Sequence, residues 1–380
     1  VGVAVAGSTV GAWVTTGSGT AVITGATGSS VVSAIAGLTV GSPEESAVSA
    51  SVALTGFSLD GVTNAPGGAV SWLKGQLRAF EKQHPGVSTY LRTVDVAELA
   101  HPEAVLPDVV LYMPGDVSAP DDLFLPMTGE ATAREGGLLR EELLRCGRWR
   151  GTQYGLPLCW GAWVLAIDGT LEPDRASTPA PTTLLGRPAA TDAPSTPEPG
   201  YPMEAASKAA CALQSPKGAA LFTLGRLLDG YPPLPENFAA LPSAEVFAAF
   251  RSGKCATAML TTGQVMALTE RPFRVLAAED VITDQVWLGS ITKGAPKEAA
   301  LLLAHLTGPE AQNALPAQGL HTVREDLTPY TVGVPARVES AARKALTAIN
   351  AYTDAQQAEA AAWQFFQGTI LLDEALLPLL

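Results

Sequence analysis

Residues able to do covalent chemistry are few in this chain of 380 and stand at no familiar catalytic spacing. The four histidines, His84, His101, His305 and His321, form no H-E-x-x-H pair, so a helix-borne metal site is not signalled. Cys146, Cys159, Cys211 and Cys255 are widely spaced and make no C-x-x-C, which speaks against a zinc knuckle or a thioredoxin-type centre. They read as buried thiols, with two long-range disulfides as the alternative in an exported chain. Gly17-Ser18-Gly19 lacks the third glycine of a dinucleotide fingerprint. Gly253-Lys254 lacks both the earlier glycine and the following hydroxyl of a phosphate loop. No cofactor and no metal is expected. The nearest approach to a nucleophile is Gly56-Phe57-Ser58-Leu59-Asp60, where Asp60 replaces the glycine that lets a helix pack behind an elbow serine. A serine hydrolase using Ser58 is kept as an alternative to a protein without covalent chemistry.

The elements that would position such residues follow an alternating pattern. Val52 to Phe57, Val87 to Thr93 and Val109 to Tyr112 read as strands, and Trp72, Leu73, Leu77 and Phe80 mark an amphipathic helix stopped at Pro85-Gly86. Trp287 to Ile291 is a further strand. Ala299, Leu302, Leu303 and Leu306 gather on one helix face until Gly308-Pro309, a second short helix runs to Leu315, and Gly319 releases an extended return from His321 to Arg324. Helices are expected at Met203 to Leu213, Lys217 to Leu228, Ala336 to Tyr352 and Ala355 to Leu380, the last broken at Gly368. Leu171 to Pro202 is a Pro- and Thr-rich loop, and Glu44 to Ser51 reads as a linker. Such alternation predicts an α/β fold with a mostly parallel sheet, and the length suits two lobes with a cleft between them. Ligands then sit beyond the carboxyl ends of strands.

Charge narrows the partners. With 24 Lys+Arg against 37 Asp+Glu the formal net charge is -13, which excludes nucleic acid, because phosphate binding needs clustered cations. From Val1 to Pro43 no residue is charged, and Gly, Ala, Val, Ser and Thr dominate. That stretch reads either as the remnant of an export or anchoring segment or as a floppy or β-forming extension, and it lacks an L-x-G-C-like lipidation cysteine. Beyond Glu44 no apolar run approaches a bilayer-spanning length.

Five segments in order, FEKQHPGV (80–87), PDVVLY (107–112), YGLPLCWGAWVLAID (154–168), FRSGKCATAM (250–259) and LGSITKGAPKEAALLLAHLTGPEAQNALPAQGLHTVREDL (288–327), resemble family 1 extracellular solute-binding proteins of ABC transporters, sugar-binding type. The resemblance runs from about Val52 to the C-terminus. It implies a two-lobe periplasmic-binding-protein-like fold of type II: residues 1–50 apart, lobe 1 from 51–125 and 270–325, and lobe 2 from 126–269 and 326–380. It also implies a monomeric, extracytoplasmic binding component that takes a polar solute, carbohydrate first, and meets membrane permease subunits. A solute sensor or surface receptor without transport is the neighbouring alternative.

A polar solute is held by flat aromatic faces against C–H surfaces and by carboxylates, amides and backbone groups on hydroxyls. Carried over position by position, the resemblance places such contacts at Ser58 and Asp60 after the first strand, Tyr112 at the end of the third, Trp160 and Trp163 in the crossover strand, Gln264 after the Gly-Lys corner, and Trp287 at the late strand. Each also has a plain structural reading. The tryptophans suit a core, Asp60 suits a turn, and Gln264 suits solvent. Trp363, amid alanines, reads first as helix packing.

Overall fold

The computed structural model describes residues 13–15, 21–23, 34–41, 47–54, 68–93, 99, 101, 106–127, 138–169, 209–212, 217–227, 239–241, 243–255, 257–268 and 272–380. Val1–Val31 and Val32–Leu380 form two compact units. In the first, β1 (Trp13–Thr15) and β2 (Ala21–Ile23) pair antiparallel.

The second unit is organised by two sheets. In the larger, the order is β3 (Ala34–Gly41), β5 (Val87–Thr93), β4 (Ala47–Leu54), β6 (Val109–Tyr112), β16 (Val286–Ile291) and β9 (Leu156–Trp160). Helix α1 (Gly68–Gln83) links β4 to its parallel neighbour β5, and its Trp72, Leu73, Leu77 and Phe80 recur at helical spacing and are buried. Fully burying one such side chain is worth about 1.5–3 kcal/mol, so this face holds the helix in place. β6 is buried at all four positions, as a central strand covered on both faces must be.

The second sheet runs β12 (Ala239–Leu241), β11 (Ala209–Ala212), β13 (Thr257–Thr261), β10 (Trp163–Asp168), β14 (Phe273–Leu276). Two small pairs complete the strands: β7 (Arg148–Trp149) with β8 (Thr152–Gln153), and β15 (Val281–Thr283) parallel to β17 (Leu346–Ala348). The remaining helices used below are α2 (Glu141–Cys146), α3 (Ala219–Leu227), α4 (Thr262–Met266), α5 (Glu298–Thr307), α6 (Pro309–Asn313) and α7 (Gly333–Lys344). Among the described residues no helix is long and apolar enough to cross a membrane.

The late stretch folds as its pattern predicts. β16, α5 and α6 follow in order, and Gly319 takes φ 72°, a conformation that glycine adopts without a Cβ clash. A Cβ there would stand 2.6 Å from the Cα of Gly263, so this turn packs backbone against backbone.

Three expected elements are corrected. Ala47 to Ser51 is not a linker but part of β4, paired to both β3 and β5. Ala209–Ala212 is a strand rather than a helix, because parallel partners on either side, β12 and β13, supply its backbone bonds. The helix expected over Ala336 to Tyr352 ends at Lys344, where Ala345 turns extended (φ -152°) so that Leu346–Ala348 can pair with β15. β9 lies in the larger sheet and β10 and β14 in the second, so the chain passes between sheets at Gly161–Ala162 and again near Asp284–Gln285. Cys146 and Cys159 are buried and unbridged, which removes the pair of long-range disulfides.

Candidate functional site

Three segments run together where the chain passes between the sheets, and buried polar side chains stitch them. The N–H of Gly161 donates to Gln285 O (2.8 Å), and Thr283 Oγ1 donates to Gly161 O (2.6 Å). Asp284, fully buried, accepts at Oδ1 from Trp163 Nε1 (3.0 Å) and Gln285 Nε2 (3.1 Å), and at Oδ2 from the backbone N–H groups of Lys217 (2.8 Å) and Ala219 (3.2 Å). Ala219 is the first residue of α3 and Lys217 lies just ahead of it, so the carboxylate sits at the positive end of that helix. The third segment pairs with β9 through Trp160 and His321, whose backbones exchange hydrogen bonds of 3.2 and 2.8 Å.

His321 is itself a hub. Its Nδ1 lies 3.2 Å from Glu339 Oε1 on α7, and its Nε2 lies 3.2 Å from Thr262 Oγ1 at the start of α4. Hydroxyl, imidazole and carboxylate in line are the parts of a nucleophile relay. Here the relay is closed off: Trp160 stacks on the imidazole at 4.4 Å, Tyr330 lies at 5.2 Å, and all three relay side chains are buried with no place for a substrate. Burial, partly opposed by Glu339, lowers the affinity of His321 for a proton, so the ring is held neutral. This cluster pins the segments together.

A second assembly forms at the carboxyl end of β6. The hydroxyl of Tyr112 lies 2.8 Å from Ser290 Oγ and 2.6 Å from Tyr352 Oη, and Ser290 Oγ donates to Tyr154 O (2.7 Å). Because Ser290 has one proton and gives it to Tyr154, it accepts from Tyr112, which accepts in turn from Tyr352. Burial raises both phenols well above their usual range, so they remain neutral donors. The loop after β6 then joins the segment after β17, with Gly115 N–H donating to Ala351 O (2.9 Å). Asp116 Oδ2 accepts from Met113 N–H (2.8 Å), and burial pushes its carboxyl up to about 7. Lys217, buried, donates through Nζ to Thr353 O; burial depresses its pKa against the pull of Asp354 and Asp284.

Above this base lies a cavity of about 440 Å³, bounded by the end of α2, the β7–β8 hairpin and the segment after β17. Trp149 and Tyr352 form its aromatic wall, edge to face at 5.9 Å and 76°. Asn350 anchors the floor, its Nδ2 donating to Arg145 O (3.2 Å) and Arg148 O (2.9 Å) while its Oδ1 accepts from Tyr352 N–H (2.9 Å). The indole N–H of Trp149 is buried and without a partner. Among the described residues lining the cavity there is no histidine, cysteine or carboxylate side chain. Aromatic faces beside guanidinium donors suit holding an oxygen-rich solute.

The residues named from sequence fall around this assembly. Tyr112 supports the cavity from one layer below, through Tyr352. Trp160 and Trp163 flank the Gly161–Ala162 passage, 1% and 3% exposed, and both indoles are bonded inside the protein, Trp160 Nε1 to Thr322 O (2.8 Å). Gln264, fully buried rather than solvated, closes a capping box with Thr261 at the start of α4. Trp287 is core, beside the β16–β9 irregularity. Trp363, half-buried, packs edge-on against Phe366 at 6.3 Å. Ser58 and Asp60 lie outside the described residues. Sequence reasoning did not single out Trp149, Asn350, Tyr352 or Lys217. Only Trp149 carried a local signal, in the turn-forming run Arg148-Trp149-Arg150-Gly151.

No protein-family model and no curated protein matches the chain. Solved structures do. The GacH receptor of Streptomyces glaucescens, solved unliganded and in complex with acarbose and an acarbose homologue, is 15% identical over 81% of this chain and 92% of that one, with a TM-score of 0.52. A second structure, solved with acarbose, is 14% identical, covering 86% and 95%, with a TM-score of 0.55. A cyclo/maltodextrin-binding protein complexed with maltotetraose is 14% identical, covering 81% and 91%, with a TM-score of 0.51. The fold of this chain is thus the two-lobe α/β fold of these solute receptors, covered nearly end to end. At such identities the likeness establishes architecture, and the neighbours are binding proteins.

Proposed function

We propose that the chain is the extracytoplasmic solute-binding component of an ABC importer and takes a polar small molecule, carbohydrate first, as a monomer. The observation that carries this reading is the cavity walled by Trp149 and Tyr352, resting on Tyr112 at a strand's carboxyl end, in a fold whose solved examples hold acarbose and maltotetraose. The sugar's C–H faces stack on the aromatic wall, and its oxygens meet the guanidinium groups that line the cavity. The lobes meet at the stitched segments, and a ligand touching both favours the closed arrangement by its differential affinity. The closed form is what a pair of permease subunits would recognise. Direct ligand contacts from Trp160, Trp163, Gln264 or Trp287 would need those segments to part, since each is buried here.

No covalent step is required. A sensor without transport would use the same cavity and differ in its membrane partner. The test is a thermal-shift screen against mono- and oligosaccharides, polyols and amino acids, because a ligand of the native state raises the melting temperature by mass action. A sugar that raises it in the wild type and not in Trp149→Ala supports the reading. A shift of equal size in both proteins removes the cavity from it, and labelling of Ser58 by an acyl-phosphonate probe would favour the hydrolase instead.

A further inference from the structure

We propose, resting on the solute-binding reading above, that the cavity takes an acidic sugar, its carboxylate or phosphate meeting Arg148 and Arg150 while its ring lies against Trp149. The chain carries a formal charge of -13, yet three arginines, Arg145, Arg148 and Arg150, line this one cavity, with no acidic side chain among its described lining residues. Their compensation is incomplete. Arg145 and Arg148 share a single carboxylate, Glu141, at 3.3 and 2.8 Å. Arg150 reaches Asp121 only at 4.0 Å, with its side chain 77% exposed, and holds its guanidinium 5.1 Å over the Trp149 ring. A guanidinium stacked on the wall that receives the sugar presents its N–H edge to an anion on that sugar.

The backbone gives a second, independent reason. Arg150 and Gly151 are the two central residues of the β7–β8 hairpin, with φ of 50° and 82°. Arg150 is the one non-glycine among the described residues with positive φ. Asn, Asp or Gly fills this position at least cost, and an arginine there is locally unfavourable. Such outliers persist where the side chain serves a site.

The experiment is calorimetric titration of the whole chain with a panel of mono- and disaccharides, each neutral sugar beside its uronate and its phosphate ester, at low and high salt. The acidic member is expected to bind at least about tenfold tighter than its neutral partner, as a hydrogen-bonded charge pair gives, and to lose that advantage as salt rises. Uronate and phosphate arms separate the two anion types. Arg150→Asn is expected to melt no lower than the wild type while losing most of the preference for acid; Arg148→Gln loses preference with its fold checked by circular dichroism. Neutral sugars that bind as tightly as acidic ones overturn the charge assignment and leave the solute-binding reading standing. Preference that survives both substitutions places the anion elsewhere and overturns the assignment. If neither kind of sugar binds, both readings fall.

Discussion

Asp284 is the side chain whose removal should loosen the molecule most, and its cost follows from its bonds. Its carboxylate accepts four hydrogen bonds in a fully buried position, two of them from the backbone N–H groups of Lys217 and Ala219 at the entry to α3 and one from the Trp163 indole. Asp284→Ala leaves the indole and the two amides without acceptors, while Gln285 can turn its amide away. Each stranded buried donor costs about 1–3 kcal/mol, and water entering the space left by the carboxylate recovers part of that. The expected loss is about 3–5 kcal/mol, a large share of the about 5–15 kcal/mol that holds a typical domain folded. In urea unfolding followed by tryptophan fluorescence, with a slope of about 3 kcal/mol/M, the midpoint should fall by about 1–1.7 M at unchanged slope. Asp284→Asn keeps one acceptor and should fall about half as far. A midpoint within about 0.3 M of wild type for Asp284→Ala, equivalent to about 1 kcal/mol, would refute the claim that this carboxylate ties the passing segments to α3.

Asp116 predicts a pH effect of defined sign. Its carboxyl ionises near 3.8 when unfolded and at about 7 when folded, so between these values the native state keeps a proton that the unfolded state has released. Stability from this group therefore falls as pH rises from about 4 to about 7 and is level above. Asp116→Asn preserves an acceptor for Met113 N–H, and its melting curve should gain on wild type steadily across that window; parallel curves would remove the effect. Gly319→Ala must place a Cβ 2.6 Å from a backbone atom at φ 72°, and should lower the melting temperature by several degrees, read by calorimetry; an unchanged value would mean the turn relaxes freely. Cys146 and Cys159 are buried, and burial pushes the Cys146 thiol up to about 12, so an aromatic disulfide reagent at neutral pH should label neither until the protein is denatured. Rapid labelling of either in the native state would place it at the surface.

Periodicity revealed the elements whose burial is set locally. α1 announces itself through Trp72, Leu73, Leu77 and Phe80, and the run from β16 to Gly319 through its glycine and proline punctuation. Elements that depend on distant partners were hidden. β11 and β17 are alanine-containing segments whose strand state comes from neighbours far along the chain, which no local pattern encodes. The site was legible by region more than by residue. Tyr112 at the end of β6 led to its neighbourhood, but the aromatic wall comes from Trp149 in a two-residue hairpin and Tyr352 after a three-residue strand. Trp160 and Trp163 stand on either side of the passage between sheets, and their indole donors are already bonded to Thr322 and Asp284. Spacing tells which strand a tryptophan belongs to, and only the packed structure tells what its N–H meets.

The central claim, a polar solute held against Trp149 and Tyr352, is tested most directly by titrating the chain with the panel of neutral and acidic sugars while following intrinsic tryptophan fluorescence. A saturable one-site change with at least one sugar, abolished in Trp149→Phe and weakened in Tyr352→Ala, is the expected result. A flat trace across the whole panel, or a saturable change that both variants reproduce at wild-type affinity, would contradict it.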